Sequence, residues 1–174
     1  GSNILSLGTY GCNFSCKFCQ NWQISQQKAK VKEITPEEVI SLAQRRGVKS
    51  IAYTYSEPTV WYEFVFEISK LAHENGLKNV LVTNGYINSE PLQKLLPYID
   101  AANVDLKSFS DDFYKKFAAG SLAPVKNTIE TMSKNIHLEV TTLIINDLND
   151  DLEELKDLFS WLSNLNNSIP LHLS

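Results

Sequence analysis

The three cysteines of this chain, Cys12, Cys16 and Cys19, lie within eight residues and follow the spacing Cys-x3-Cys-x2-Cys. Such close spacing lets one short loop present three thiolates to a single inorganic centre. An iron–sulfur cube has four irons and is normally held by four thiolates, so three would leave one iron open to a small molecule. The spacing therefore favours an iron–sulfur centre that activates a bound ligand.

Two other uses of the cysteines compete with an iron–sulfur centre. A disulfide framework is disfavoured because the number of cysteines is odd and the chain is not a cysteine-dense miniprotein. Structural zinc normally takes four ligands, usually as two separated pairs. His137 is a conceivable fourth ligand, but it is distant in sequence and lacks the usual partner spacing. Zinc remains the main alternative from spacing alone.

Four segments, in order along the chain, resemble motifs of the radical S-adenosylmethionine enzymes. Gly11–Trp22 resembles their cluster loop, including an aromatic residue, Phe18, just before the third cysteine. Tyr55–Pro58 resembles a Gly-Gly-Glu-Pro motif, Val82–Gly85 an Asp-Thr-Asn-Gly segment, and Asp105–Lys107 an Asp-Leu-Lys strand end. The resemblance covers nearly the whole chain. Within the family, the chain is similar to the pyruvate formate-lyase activating enzymes, and it most closely resembles the AmmeMemoRadiSam group.

The resemblance implies a [4Fe–4S] cluster on Cys12, Cys16 and Cys19, with S-adenosylmethionine chelating the fourth iron. One electron then cleaves the sulfonium, and the resulting 5′-deoxyadenosyl radical abstracts hydrogen from a substrate. The cofactors supply this chemistry, so no protein residue is assigned as catalytic. The candidate cofactor-binding residues are Phe18, Ser56, Glu57, Thr83, Asn84, Asp105, Lys107 and Thr141.

The chain also departs from the family's patterns. Tyr55 and Ser56 stand where the familiar motif has two glycines, and Ser at that place looks typical of the AmmeMemoRadiSam group. Val82 replaces an Asp of pyruvate formate-lyase activators, and Asn146-Asp147 replaces a usual Pro-Gly. These departures argue against activation of pyruvate formate-lyase specifically, and they leave the cluster ligands unaffected.

The expected substrate is a protein or peptide, because an open partial barrel leaves a mouth wide enough for a polypeptide loop. The expected electron donor is a low-potential protein such as flavodoxin or ferredoxin. A small-molecule or nucleoside substrate is the alternative within the same enzyme class. An iron–sulfur electron carrier and a zinc-stabilised binding module are the alternatives outside it, and neither explains Glu57 or a charged pair at Asp105 and Lys107.

Apolar β-like runs alternate with amphipathic helical stretches, which predicts a parallel sheet with helical crossovers. A closed eight-unit barrel needs about 31 residues per unit, so this chain holds between five and six units. The predicted fold is α/β, a partial, open (β/α)6 TIM-like barrel. The predicted strands are 4–7, 50–55, 79–83, 101–107, 136–145 and 169–173, and the predicted helices are 35–47, 58–76, one from 89, 110–117 and 149–165.

These elements would bring the candidate residues to one rim, because functional residues of such folds gather at the carboxyl ends of the strands. Asn103, Asp105 and Lys107 alternate with apolar neighbours and should face the barrel interior. On the fifth strand, His137 and Glu139 are interpreted as a satisfied polar network. Thr141 lies closer to the rim.

The composition limits the remaining possibilities. With 174 residues, 43% hydrophobic and 21% charged, the chain has the make-up of one globular domain, a core domain over 1–174 that we expect to be part of a longer protein. A net charge of −4 argues against general binding of nucleic acids. No apolar stretch approaches the roughly 20 residues that span a bilayer. Clustered reduced thiols favour a cytoplasmic location.

Overall fold

The computed structural model describes residues 2–174, and within them six strands form one parallel sheet. The strands pair in chain order, β1 to β6, and the outer strands β1 and β6 do not pair with each other. The sheet is therefore open, and the predicted partial (β/α)6 barrel is confirmed. The strands are β1 Leu5–Leu7, β2 Ser50–Tyr53, β3 Lys78–Thr83, β4 Ala101–Asp105, β5 His137–Thr142 and β6 Leu171–Leu173.

Helical segments connect each strand to the next, as parallel pairing requires. Pro58–Trp61 and Leu96–Tyr98 are 3-10 turns that adjoin α3 and α4, and Tyr114–Ala118 is a π-helical turn that continues α5. None of the helices in residues 2–174 is both long and apolar enough to cross a membrane. The helices are α1 Trp22–Ser25, α2 Pro36–Arg45, α3 Tyr62–Glu74, α4 Ser89–Leu95, α5 Asp111–Phe113, α6 Leu122–Met132 and α7 Leu152–Leu165.

The start of α2 follows the local sequence. The Thr35 hydroxyl accepts a hydrogen bond from the Glu38 backbone N–H, and the Glu38 side chain accepts one from the Thr35 N–H. This capping box satisfies two N–H groups that have no partner within the helix. Pro36 occupies the first helical position, where its missing N–H costs nothing.

The connection between β4 and β5 differs from the prediction. The sequence predicts one helix over 110–117, whereas the chain forms α5, a π-helical turn and then a second helix, α6. Pro124 and the β-branched residues of α6 weakened its helical signal. The helix forms because Pro124 lies in its first turn, where backbone N–H groups need no helical acceptor, and because Val125, Ile129 and Met132 are buried on one face.

The alternation of polar and apolar residues on β4 is as expected. Ala102 and Val104 are buried in the apolar core, whereas Asn103 and Asp105 are half-buried on the opposite face. The core lies between the sheet and the helices, where α3 packs on β3 and α6 packs on β5. The interior face is thus left free for the polar residues at the strand ends.

Candidate functional site

The three cysteines lie on the loop between β1 and α1, and all three are free, half-buried thiols. One backbone hydrogen bond ties this loop to α1, in which the Gly11 N–H donates to the Ile24 carbonyl at 2.8 Å, and another forms a turn within the loop, in which the Cys19 N–H donates to the Cys16 carbonyl at 3.2 Å. Burial raises the pKa of Cys12 above its ordinary value and raises that of Cys16 to about 11. A bound metal would favour the thiolate form over the thiol.

The spacing of the thiols bears on the zinc alternative. Within residues 2–174, no three His, Cys, Asp or Glu side chains are grouped so that they could hold a single metal ion. A tetrahedral zinc site brings all its ligands to about 2.0–2.3 Å from one ion. A single zinc ion would therefore require the three thiols to move closer together and a fourth ligand to join them, and metal analysis distinguishes zinc from iron.

Glu57 joins the ends of β2 and β3 through its carboxylate and is 2% exposed. Its Oε1 accepts hydrogen bonds from the Thr83 hydroxyl at 2.7 Å and the Thr59 N–H at 3.0 Å, and its Oε2 accepts one from the Asn84 N–H at 2.8 Å. Burial raises the pKa of this carboxyl, and the hydrogen bonds offset part of that effect. Both oxygens are thus engaged by the protein itself, which the sequence did not predict.

Asn84 connects this carboxylate to the cysteine loop. Its Nδ2 donates to the Asn13 Oδ1 at 2.8 Å and lies 3.6 Å from the Cys12 Sγ. Its Oδ1 accepts the Tyr86 N–H at 2.8 Å, so the side chain is held at both ends. An amide donor at a ligating sulfur is one of the means by which proteins tune a metal centre.

Asp105 and Lys107 form the ion pair expected at the end of β4, with the Lys107 Nζ 2.6 Å from the Asp105 Oδ2. The Lys107 side chain is 17% exposed. Burial acts to lower the pKa of Lys107, but the Asp105 carboxylate together with Cys16 and Glu57 outweighs this effect, and the pKa lies above its ordinary value. The ammonium stays charged, and its field favours the thiolate of Cys16.

The other polar residues of the interior face pair with one another. The Thr141 hydroxyl donates to the Asn103 Oδ1 at 3.0 Å. Glu139 contacts the Nε2 atoms of His137 at 3.3 Å and His172 at 2.8 Å. The interpretation of His137 and Glu139 as a polar network agrees with this geometry, and hydrogen bonds from His172 and His137 lower the pKa of Glu139.

All the sequence-derived candidates border one cavity of about 330 Å³ at the carboxyl ends of the strands. Phe18 borders it while its ring packs at 5.7 Å from that of Phe113. Four lining residues, Ser25, Thr54, Leu143 and Ser174, lie outside the four motifs, and the sequence analysis did not single them out. The full lining is Cys12, Phe14, Cys16, Phe18, Cys19, Gln20, Asn21, Ser25, Thr54, Tyr55, Ser56, Glu57, Val82, Thr83, Asn84, Asp105, Lys107, Thr141, Leu143 and Ser174.

Tyr55 borders the cavity in a left-handed backbone conformation with φ of +73°. This conformation is rare for a bulky residue and costs about 1 kcal/mol or more. The Asn21 Nδ2 donates to the Tyr55 carbonyl at 2.9 Å and helps to hold the turn. The side chain remains 57% exposed, so burial of the ring does not explain the strained conformation.

Replacing Tyr55 with Gly is therefore expected to stabilise the protein by about 1 kcal/mol, because Gly adopts positive φ without strain. For a chain of this size the gain corresponds to a rise in Tm of roughly 2–4 °C. Thermal unfolding followed by circular dichroism measures it. Tyr55→Phe keeps the strain and should leave Tm unchanged, and a lower Tm for Tyr55→Gly would contradict the expectation.

The residues of the cavity fit an iron–sulfur cluster and S-adenosylmethionine. The chain has three cysteines, all of them free thiols, and this number suits a cube with one open iron. The Ser56 hydroxyl oxygen is buried and has no hydrogen-bond partner among the described residues, as expected of a group that awaits a ligand. Anionic and cationic groups, Asp105 and Lys107, border the same space and suit a zwitterionic methionine moiety.

Curated relatives include archaeal and bacterial proteins. The chain is 44% identical over 99% of its length to an uncharacterized protein of Methanocaldococcus jannaschii, of which it spans 53%. It is 30% identical over 94% of its length to a protein of the same organism named as a candidate glycyl-radical enzyme activating enzyme, of which it spans 64%. It is 24% identical over 90% of its length to the pyruvate formate-lyase-activating enzyme of Clostridium pasteurianum, of which it spans 68%.

The chain is also similar to proteins whose names indicate other reactions. A protein of Thermococcus kodakarensis named as a candidate GTP 3′,8-cyclase is 30% identical over 86% of the chain, which spans 50% of that protein. Among solved structures, Streptococcus suis SuiB bound to S-adenosylmethionine matches with a TM-score of 0.74 at 15% identity, over 99% of the chain and 40% of SuiB. At that identity the similarity to SuiB shows the fold alone.

The model of the Radical SAM superfamily matches residues 6–162, which include the cysteine loop and the ends of strands β1 to β5. Members of this superfamily are enzymes that use an iron–sulfur cluster together with S-adenosylmethionine. The match extends over most of the chain. This chain accordingly belongs to the radical SAM superfamily.

Proposed function

We propose that Cys12, Cys16 and Cys19 hold a [4Fe–4S] cluster and that the adjoining cavity binds S-adenosylmethionine. The observation that carries the proposal is that three free thiols and an unpartnered Ser56 hydroxyl border the same cavity at the strand ends. When bound, the two cofactors supply reductive cleavage of the sulfonium and a 5′-deoxyadenosyl radical. The protein supplies their orientation and excludes water.

Each residue around the cavity has its own proposed role in binding the cofactors. Ser56 and the remaining acceptor position of the Glu57 Oε2 suit the ammonium of the methionine moiety, since Oε2 accepts only one protein hydrogen bond. Lys107 suits an anionic or hydroxyl group and carries its charge close to the thiols. Phe18 offers a face for the adenine ring. Asn84 donates toward the Cys12 sulfur, Thr83 fixes Glu57, and Asp105 and Thr141 complete the polar wall.

The proposed substrate is a protein or peptide, and the proposed chemistry is hydrogen abstraction of the kind that activating enzymes perform. Two observations support it. The sheet is open between β1 and β6, which leaves a side entrance to the interior face. One relative is named as a candidate glycyl-radical enzyme activating enzyme. The proposed partner is a low-potential electron donor such as flavodoxin or ferredoxin, which would act on the proposed cluster.

Within the superfamily we propose that the chain is most similar to the AmmeMemoRadiSam group. Tyr55-Ser56 in place of two glycines and Val82 in place of Asp support this placement over the pyruvate formate-lyase activators. A nucleotide or other small-molecule substrate is the second candidate, which the similarity to a candidate GTP cyclase favours.

The test is anaerobic reconstitution with iron and sulfide, followed by reduction in the presence of S-adenosylmethionine. We expect about four irons per chain and formation of 5′-deoxyadenosine and methionine, since an open iron requires the cube. An electron carrier would hold the cluster but leave S-adenosylmethionine intact. A zinc module would retain zinc and bind no iron.

A second measurement separates the two substrate classes. The reduced protein is incubated with unlabelled S-adenosylmethionine and with candidate polypeptides or, separately, nucleotides that carry deuterium on carbon, so that deuterium in the 5′-deoxyadenosine identifies the source of the abstracted hydrogen. Transfer of hydrogen from a polypeptide, or a glycine-centred radical seen by electron paramagnetic resonance, supports the protein substrate. Modification of a nucleotide alone overturns it.

A further inference from the structure

The segment Tyr114–Gly120, called here the bracing segment, contacts the cysteine loop through its backbone. The Ser15 N–H donates to the Ala118 carbonyl and the Lys17 N–H to the Phe117 carbonyl, both at 2.9 Å. These carbonyls belong to the π-helical turn that continues α5. Such turns are rare and occur often at functional sites. Here the π-helical turn provides acceptors for the backbone between Cys12 and Cys19.

The bracing segment also receives a side chain of the loop. Phe14 is 2% exposed, and its ring lies 4.8 Å from the ring of Tyr86 and 5.7 Å from that of Tyr114. A Cβ atom on Gly120 would clash with the Phe14 Cε1 and would lie 2.9 Å from its Cδ1. The φ angle of Gly120 is not in the left-handed region, so glycine serves here to admit the ring.

The position of Phe14 bears directly on the thiols. Phe14 lies between Cys12 and Cys16, and its backbone N–H is 3.4 Å from the Cys12 Sγ. Any shift of the ring away from Gly120 moves this donor and the loop on both sides of it. The bracing segment reaches the other side of the cavity as well, because the Tyr114 hydroxyl accepts the Lys107 N–H at 3.0 Å.

We propose that Gly120 is a positioning residue: by admitting the Phe14 ring, it fixes the cysteine loop on the bracing segment and sets the relative positions of Cys12, Cys16 and Lys107. The consequence for a cluster rests on the proposed function. The consequence for the loop itself does not, and the two are measured separately.

The first experiment compares Gly120→Ala with Gly76→Ala in the cluster-free protein. Gly76 has a φ of +71° and open space around an added Cβ, so Gly76→Ala strains the backbone at the end of α3 without a contact to the site. Hydrogen exchange by mass spectrometry over residues 11–20 is expected to be roughly tenfold faster in Gly120→Ala than in Gly76→Ala or the parent protein. Equal exchange in all three proteins overturns the proposal.

The second experiment tests whether a smaller side chain at position 14 restores the packing that Gly120→Ala disturbs. Phe14→Leu removes Cε1, the atom that would lie closest to the new Cβ, and also Cζ, while it keeps a Cδ1. The double variant Gly120→Ala/Phe14→Leu is therefore expected to recover slow exchange, with a Tm above that of Gly120→Ala. A double variant no better than Gly120→Ala contradicts the assignment. Should Gly120→Ala not fold, faster exchange in Phe14→Leu alone supports the proposal and unchanged exchange refutes it.

The third measurement is made on the reconstituted protein. Gly120→Ala is expected to lose iron to a chelator roughly tenfold faster than Gly76→Ala, the scale on which groups behind metal ligands act, and to shift the reduction potential of the cluster. A general loss of stability would affect both variants alike. If the parent protein binds no cluster, the proposed function fails, while the exchange data still decide the role of Gly120.

Discussion

Protein carrying Cys16→Ala is expected to bind no intact cluster and to form no 5′-deoxyadenosine under anaerobic, reducing conditions. Only Cys12 and Cys19 would remain, and these are the only other cysteines of the chain. With a chelating cofactor on one iron, two protein thiolates leave another iron of the cube without a ligand. Iron content, the visible absorption of the cluster and 5′-deoxyadenosine by chromatography measure the result. The fold should remain, because Cys16 is only half-buried.

Ser15→Ala is the matched control in the same loop. It removes a hydroxyl that donates to the Gln26 Oε1 at 3.1 Å in an exposed position, and it leaves the backbone hydrogen bond of Ser15 to Ala118 in place. We expect this variant to keep its iron and its turnover. Turnover in Cys16→Ala equal to that of the control would show that Cys16 is not a ligand.

The sequence predicted that the candidate residues lie together because each of them follows or ends a strand of a parallel sheet. Asp105 and Lys107 end one strand and Thr141 ends the next, and the register of β4 and β5 pairs Asp105 with Thr141. Since every strand runs in the same direction, each loop that follows a strand must reach the same rim. The order of motifs along the chain was therefore sufficient to predict that the candidates share one cavity.

The contacts that hold the cysteine loop could not be predicted from the sequence. Phe14 reads as an ordinary aromatic residue, and Gly120 reads as a turn residue far along the chain. Their contact depends on a π-helical turn, which no hydrophobic period predicts, and on α6, whose Pro124 and β-branched residues concealed a helix. Packing between distant segments fixes such details, and local propensity carries little information about them.

Glu57 shows the same limit within a recognised motif. The resemblance placed Glu57 among the candidate cofactor-binding residues and assigned it no structural role. In the structure the carboxylate accepts the Thr59 N–H at the start of the 3-10 turn, and it also joins β2 to the Thr83–Asn84 turn. Glu57 therefore also stabilises the fold.

Glu57→Gln is therefore expected to destabilise the protein. A glutamine has one side-chain acceptor oxygen, so either orientation of the amide leaves one backbone N–H, that of Thr59 or that of Asn84, without its acceptor. A buried donor that loses its partner costs about 1–3 kcal/mol. For a chain of this size that amounts to a fall in Tm of roughly 2–12 °C. Because Asn84 lies against Cys12, we also expect faster loss of iron.

Glu67→Gln on the exposed face of α3 is the control, because it makes the same chemical change where the Glu67 carboxylate accepts no side-chain hydrogen bond among the described residues. Its Tm should stay within about 1 °C of the parent, as for most surface substitutions. A Glu57→Gln variant as stable as this control would mean that the three hydrogen bonds contribute nothing.

The dependence of this effect on pH has a defined sign. Burial raises the pKa of Glu57 above its ordinary value of 4.5, so between that value and the folded-state pKa the native protein binds a proton that the unfolded chain has released. The free energy of unfolding contributed by this group therefore falls as the pH rises through that window. Glutamine does not titrate, so the difference in Tm between the parent and Glu57→Gln should be greatest at the acid end and narrow as the pH rises. A difference that widens instead would show that the hydrogen bonds outweigh burial and that the folded carboxyl has a lowered pKa.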